Sequence, residues 1–128
     1  MGSRIGLGDL QSAIMRVLWQ REEASVSEVH AALRDERGLA PTTIATMLKK
    51  MEAKGVVTHR LEGRQFVYRA TVSETEVRRS MVSELVGRVF EGNPAALVSH
   101  LMSEQGISRE DLDEIRRLLA EHESEEVS

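Results

Sequence analysis

Cysteine is absent from the 128 residues. That removes disulfides, thiolate metal sites and cysteine nucleophiles together, and it accords with a reducing compartment. Aromatics are scarce, with two Phe, one Tyr and one Trp, so the chain lacks the stacking platforms that single-stranded RNA recognition uses. No apolar run approaches the roughly 20 residues that span a bilayer. No basic-then-apolar leader opens the chain, and we expect a cytoplasmic protein. There is no phosphate-binding glycine loop and no nucleophile elbow. The histidines His30, His59, His100 and His122 fall on separate expected elements, without metal-ligand spacing. We therefore expect no enzyme, no cofactor and no bound metal. The length allows one compact domain, or one small domain with an appendage.

The net charge of −4 argues against nucleic acid until it is divided along the chain. Residues 1–70 hold eleven Lys and Arg against eight Asp and Glu, a balance of +3. Residues 71–128 hold six against thirteen, a balance of −7. Residues 40–70 alone carry six basic groups and two acidic ones. Association with DNA follows the local field, not the total.

Apolar spacing predicts a helix from Asp9 to about Arg21, with Leu10, Ile14, Val17 and Leu18 on one face and Asp9 as N-cap. Trp19 reads as a core anchor. Ser25-Val26-Ser27 reads as a brief extended segment ending in a cap, with a second helix from Glu28 to about Glu36 burying Val29, Ala32 and Leu33. Gly38 ends it, and Pro41 suits the first turn of a third helix over 41–54, stopped by Gly55. At about 100° per residue, Ile44, Met47, Leu48 and Met51 share the inner arc. Thr42, Thr46, Lys49, Lys50 and Ala53 share the outer arc, with Thr43 at its edge. Residues 56–61 and 65–69 alternate like strands around a turn at Glu62-Gly63. Three helices and a ribbon in this order are a winged helix-turn-helix, expected over residues 1–72.

Residues 73–128 read as a second region of three helices. Ser73-Glu74-Thr75-Glu76 is a capping box. The stripe Val77, Met81, Val82, Leu85, Val86, Val89 and Phe90 follows it. Glu91-Gly92-Asn93-Pro94 breaks the pattern, with Asn93 capping a helix that carries Leu97, Val98, Leu101 and Met102 and ends by Gly106. Ser108 with Asp111 caps a third helix, whose stripe is Leu112, Ile115, Leu118 and Leu119. The last residues, 123–128, read as a frayed polar end. A segment this small buries little surface alone. Two copies would bury each other's stripes in a symmetric homodimer, through Val77, Met81, Leu85, Val89, Leu97, Leu101, Leu112, Ile115 and Leu119. The other possibility is that the three helices pack onto the winged helix of their own chain. The expected class is therefore mainly α with a small β-ribbon, a winged helix-turn-helix followed by a helical dimerisation region.

The outer face of the third helix suits a major groove. Thr42, Thr43 and Thr46 are short donors and acceptors that let the helix approach bases, and their methyl groups suit thymine methyls. Lys49 and Lys50 reach phosphates or guanine edges. Arg60 and Arg64 beside the ribbon turn suit phosphate or the minor groove, contacts that position more than they specify.

Three stretches carry a family resemblance: ALRDERGLAPTTIATMLKKMEAKGVV, EGRQFVYRATVSETE and RVFEGNPAALVSHLM. With them the chain resembles the penicillinase-repressor family of bacterial winged-helix regulators (BlaI, MecI and the copper-responsive CopY), from about Leu7 to Glu123. The resemblance implies a cytoplasmic homodimer that represses by binding double-stranded DNA at an inverted repeat, often with TACA and TGTA half-sites. It also implies a partner, a membrane sensor-protease whose cleavage relieves repression. Two departures stand out. The CopY branch binds metal through a C-terminal cysteine cluster, and this chain has no cysteine. The staphylococcal and bacillar branch is cleaved at an Asn-Phe bond, whereas Asn93 here precedes Pro94.

Two other readings of a winged helix stay open. One is a protein-interaction module, against which Thr42, Thr46, Lys49 and Lys50 argue. The other is a regulator that senses a small ligand directly.

Overall fold

The computed structural model describes residues 5–127. Its elements run α1 (Asp9–Arg21), β1 (Ala24–Ser25), α2 (Val26–Arg37), α3 (Pro41–Lys54), β2 (Val57–Glu62), β3 (Gln65–Ala70), α4 (Glu74–Val89), α5 (Pro94–Glu104) and α6 (Arg109–Val127). The described chain divides into two compact units, and the boundary falls after Glu84, within α4.

The first unit is built on the apolar faces read from the sequence. Ala13, Ile14, Val17 and Leu18 of α1 meet Val29 and Leu33 of α2 and Ile44, Leu48 and Met51 of α3 in one cluster. Ala32 and Met47 are only partly buried at its edge. Val56, Val57 and Tyr68 close it beneath the ribbon. The three strands form an antiparallel sheet in the order β1-β3-β2. Trp19 packs against the cluster and donates its indole N–H to the Val72 carbonyl at 2.9 Å.

Several termini differ from the sequence reading. Asp9 does not cap α1; Gly8 takes that position, and the Asp9 carboxylate pairs with Arg37 across the unit. That guanidinium holds the Asp9 carboxyl below its ordinary range. The cap of α2 is Ser25, which forms a reciprocal capping box with Glu28. Ser27 therefore lies inside the helix, and the extended segment is only Ala24–Ser25. The ribbon turns one residue later than expected. Glu62 and Gln65 still face each other, so Gly63 and Arg64 form the two-residue loop, with Gly63 at φ 62°. Such tight hairpin turns need a positive φ, which glycine supplies without steric cost.

The second unit is different in kind. Its Ser108/Asp111 box and Asn93 cap form as expected, as does the Ser73/Glu76 box that opens α4 in the first unit. Between α4 and α5, Glu91 and Gly92 both adopt positive φ, 51° and 80°. α6 continues through 123–127, where a frayed end was expected; Ser128 lies outside the described residues. Ion pairs from Arg117 to Glu114 and Glu121 support its outer turns. Yet among the described residues after Glu84, no side chain is fully buried. Leu85, Val89, Val98, Leu101, Met102, Leu118 and Leu119 are all exposed, Val89 at 62%.

Candidate nucleic-acid interface

The turn between α2 and α3 sets the attitude of α3. Gly38 adopts the left-handed conformation at φ 60° and donates its N–H to the Arg34 carbonyl at 2.9 Å. His30 donates Nε2–H to the Leu39 carbonyl at 2.8 Å, a structural task that occupies this histidine. Ala40 precedes Pro41 and offers no side-chain cap. Pro41 brings no N–H, and the Thr43 N–H donates to the Ala40 carbonyl at 3.1 Å, so the Thr42 N–H, with the helix dipole, is what this end of α3 offers a phosphate.

Burying Ile44, Leu48 and Met51 turns the opposite side of α3 to solvent. Thr42, Thr43, Thr46, Lys49 and Lys50 are all exposed. Neither lysine makes an ion pair or side-chain hydrogen bond with another described residue, so both charges are available to a ligand. Lys54 is not: its ammonium donates to the Gly6 carbonyl at 2.6 Å and to Gln11 Oε1 at 2.9 Å.

The ribbon presents two faces. Val57, His59 and Leu61 pair with Ala70, Tyr68 and Phe66 on one. His59 donates Nδ1–H to Glu52 of α3 at 2.6 Å and stacks on Phe66 and Tyr68 at 4.5 and 5.4 Å. This couples the ribbon to the end of α3. Burial first, and then the Glu52 charge, push the Tyr68 hydroxyl above its usual range, so it stays neutral. The other face carries Thr58, Arg60, Arg69 and Val67. The two ribbon arginines expected at DNA part ways here. Arg64, at the tip, is exposed and unpaired among the described residues. Arg60 is engaged by Glu23 at 2.7 Å and by Glu62 at 2.8 Å. Those hydrogen bonds, Glu23 first, raise its already high pKa. The exposed, unpaired Arg69 was not singled out from the sequence. Its alternation with the buried Tyr68 was the available signal.

Of the expected association stripe, Val77 is 5% exposed and belongs to the same apolar cluster of the first unit as Leu7 and Val17. Met81, Leu85, Val89, Leu101 and Leu119 are exposed, while Leu97, Leu112 and Ile115 are partly covered. No group of three or more His, Cys, Asp or Glu among the described residues could hold a metal ion. No helix among them is long and apolar enough to cross a membrane.

Comparison with known proteins gives this geometry its context. The transcriptional regulator BlaI of Mycobacterium tuberculosis is 35% identical over 120 residues, spanning 92% of this chain and 86% of that one. The penicillinase repressor of Bacillus licheniformis is 27% identical over 118 residues, 92% of each chain. Among solved structures, the monomeric form of Bacillus licheniformis BlaI in complex with the blaP half-operator is similar at a TM-score of 0.51. It is 32% identical, and the match covers 59% of this chain and 93% of that one. The sequence pattern of the penicillinase repressor family matches residues 7–121, and the chain belongs to that family of transcriptional repressors.

Proposed function

We propose that this DNA-binding transcriptional repressor acts as a homodimer on an inverted-repeat operator, one α3 entering each of two successive major grooves. Residues 1–72 carry DNA binding and residues 73–128 carry association. The observation that supports the DNA contact best is the outer face of α3, three exposed threonines beside two lysines with no partner among the described residues. A family relative, the Bacillus licheniformis BlaI monomer, is described in complex with a half-operator. In this reading Thr42, Thr43 and Thr46 meet base edges, Lys49 and Lys50 meet phosphates or guanines, and Arg64 meets phosphate from the ribbon tip. The protein works in the cytoplasm by occupying its site, not by catalysis.

Association rests on the second unit. Helices without a buried apolar side chain cannot hold together in water. A second copy presenting Leu85, Val89, Leu97, Leu101, Leu112, Ile115 and Leu119, together with Met81 of the first unit, supplies the missing cover. Relief of repression comes from cleavage by a membrane sensor-protease near Glu91–Pro94, where two successive positive φ values break the helical path.

Two substitutions separate reading from positioning. Thr46→Ala should relax base preference at one position per half-site, at a cost of about 1–3 kcal/mol for the preferred base. Arg64→Ala should weaken all sequences alike and flatten the salt dependence by about one unit per half-site. Anisotropy titrations against operators selected in vitro, and against single-base variants of them, measure both. A shifted base preference in Arg64→Ala with none in Thr46→Ala would reverse the assignment.

A further inference from the structure

Arg60 sits in an unusual place for a DNA contact. On β2 it faces Val67 of the central strand β3, and Val67 in turn faces Ser25 of β1. These three residues form one row across the sheet. Glu23 lies two residues before Ser25, on the same side by strand alternation. It is brought there by the bend at Glu22, which ends α1 at φ 71°. The Arg60 side chain spans the central strand to reach it. One terminal nitrogen lies 2.7 Å from Glu23 Oε1, Nε lies 3.4 Å from Oε2, and the other terminal nitrogen lies 2.8 Å from Glu62 Oε2. Val67, in the row beneath, is 8% exposed.

We propose that Arg60 is a positioning residue that straps the outer strand of the wing across β3 to Glu23, aiming the ribbon tip, and that it does not bind phosphate. The proposal rests on the reading in which the wing meets the duplex beside α3. The charges support it. Two carboxylates surround one guanidinium, so the cluster offers DNA a net negative charge. Turning Arg60 to a phosphate would strand Glu23 and Glu62 facing the backbone. Exposed ion pairs add little to global stability. The strap therefore acts on the direction and mobility of the ribbon, whose free cations are Arg64 and Arg69.

The test uses the full chain with Arg60→Met, which keeps an apolar stem, with Glu23→Ala, and with both. Amide hydrogen exchange over residues 57–70 is measured without DNA, and operator affinity is measured across a salt series. The strap predicts faster exchange in each single variant and several-fold weaker binding. The salt slope should stay unchanged, and the double variant should be no worse than the worse single. Unchanged exchange overturns the proposal, and that arm decides even if the unmutated chain binds no operator. A slope flattened by about one unit per half-site in Arg60→Met also overturns it, because counterion release would then count Arg60 among the phosphate ligands. So does tighter binding in Glu23→Ala, the result expected if Glu23 merely withheld Arg60 from DNA.

Discussion

Leu85→Asp is expected to leave the chain monomeric and to lower its affinity for a two-half-site operator by roughly 10²–10⁴-fold, the avidity that a second tethered module supplies. Leu85 is 42% exposed in the single chain, one helical turn from Met81 and from Val89 on α4. A carboxylate there does no harm to the chain alone, because the side chain already meets water. In a dimer it would be sealed among apolar groups without a partner, which costs several kcal/mol. The first unit, whose core lies elsewhere, should keep its thermal transition and its weak affinity for a single half-site. Sedimentation velocity gives the association state, and anisotropy gives the affinity. A stable monomer of the unmutated chain at tens of micromolar, or a Leu85→Asp variant that stays dimeric, would contradict the account.

Truncation after Phe90 should produce a loss of the same order, roughly 10²–10⁴-fold on the paired operator. It removes α5 and α6, including Leu97, Leu101, Leu112, Ile115 and Leu119, and leaves only α4 to associate. It also removes the partner of Phe90, whose ring lies 5.9 Å from that of His100. Single half-site binding should survive, since α3 and the ribbon belong wholly to the first unit. The cut falls just before the Glu91-Gly92 bend, so the truncated chain imitates the product of cleavage there. A mobility-shift titration of the two proteins on one operator makes the comparison. Near-equal affinity would show that α5 and α6 are dispensable for pairing, and cleavage at that bend could not then release the repressor.

Local chemistry made much of the fold legible. The bounds of α1 and α3 follow from apolar period and from glycine and proline punctuation, signals carried within a few residues. One error lies where a remote segment claims a group that local chemistry would use otherwise; the others are local choices between neighbouring positions. Asp9 has the chemistry of an N-cap, but Arg37, from the end of α2, claims its carboxylate. Ser27 and Ser25 are equally good caps on paper, and the matching Glu28 three residues after Ser25 decides between them. In the candidate site, the exposed face of α3 follows from its buried one, so its threonines and lysines could be placed without tertiary knowledge. The fate of Arg60 could not. Its partner Glu23 is 37 residues away in sequence, and only the order β1-β3-β2 brings it within reach. Val77 shows the same limit. It continues the helical stripe of α4, yet that helix belongs to the first unit as far as Glu84, and there Ile5 donates its N–H to Ser80 Oγ at 3.0 Å.

The central claim is that two copies of α3 read one face of a duplex together. Two such helices enter successive major grooves when half-site centres lie about one helical turn, roughly 10 base pairs, apart. The most direct measurement inserts about five base pairs, half a turn, between the half-sites of an operator and compares its affinity with that of the parent site. The account predicts that affinity for the stretched site falls to that of an isolated half-site, because the second recognition helix then faces the far side of the duplex. Unchanged affinity and an unchanged footprint on the stretched operator would contradict it.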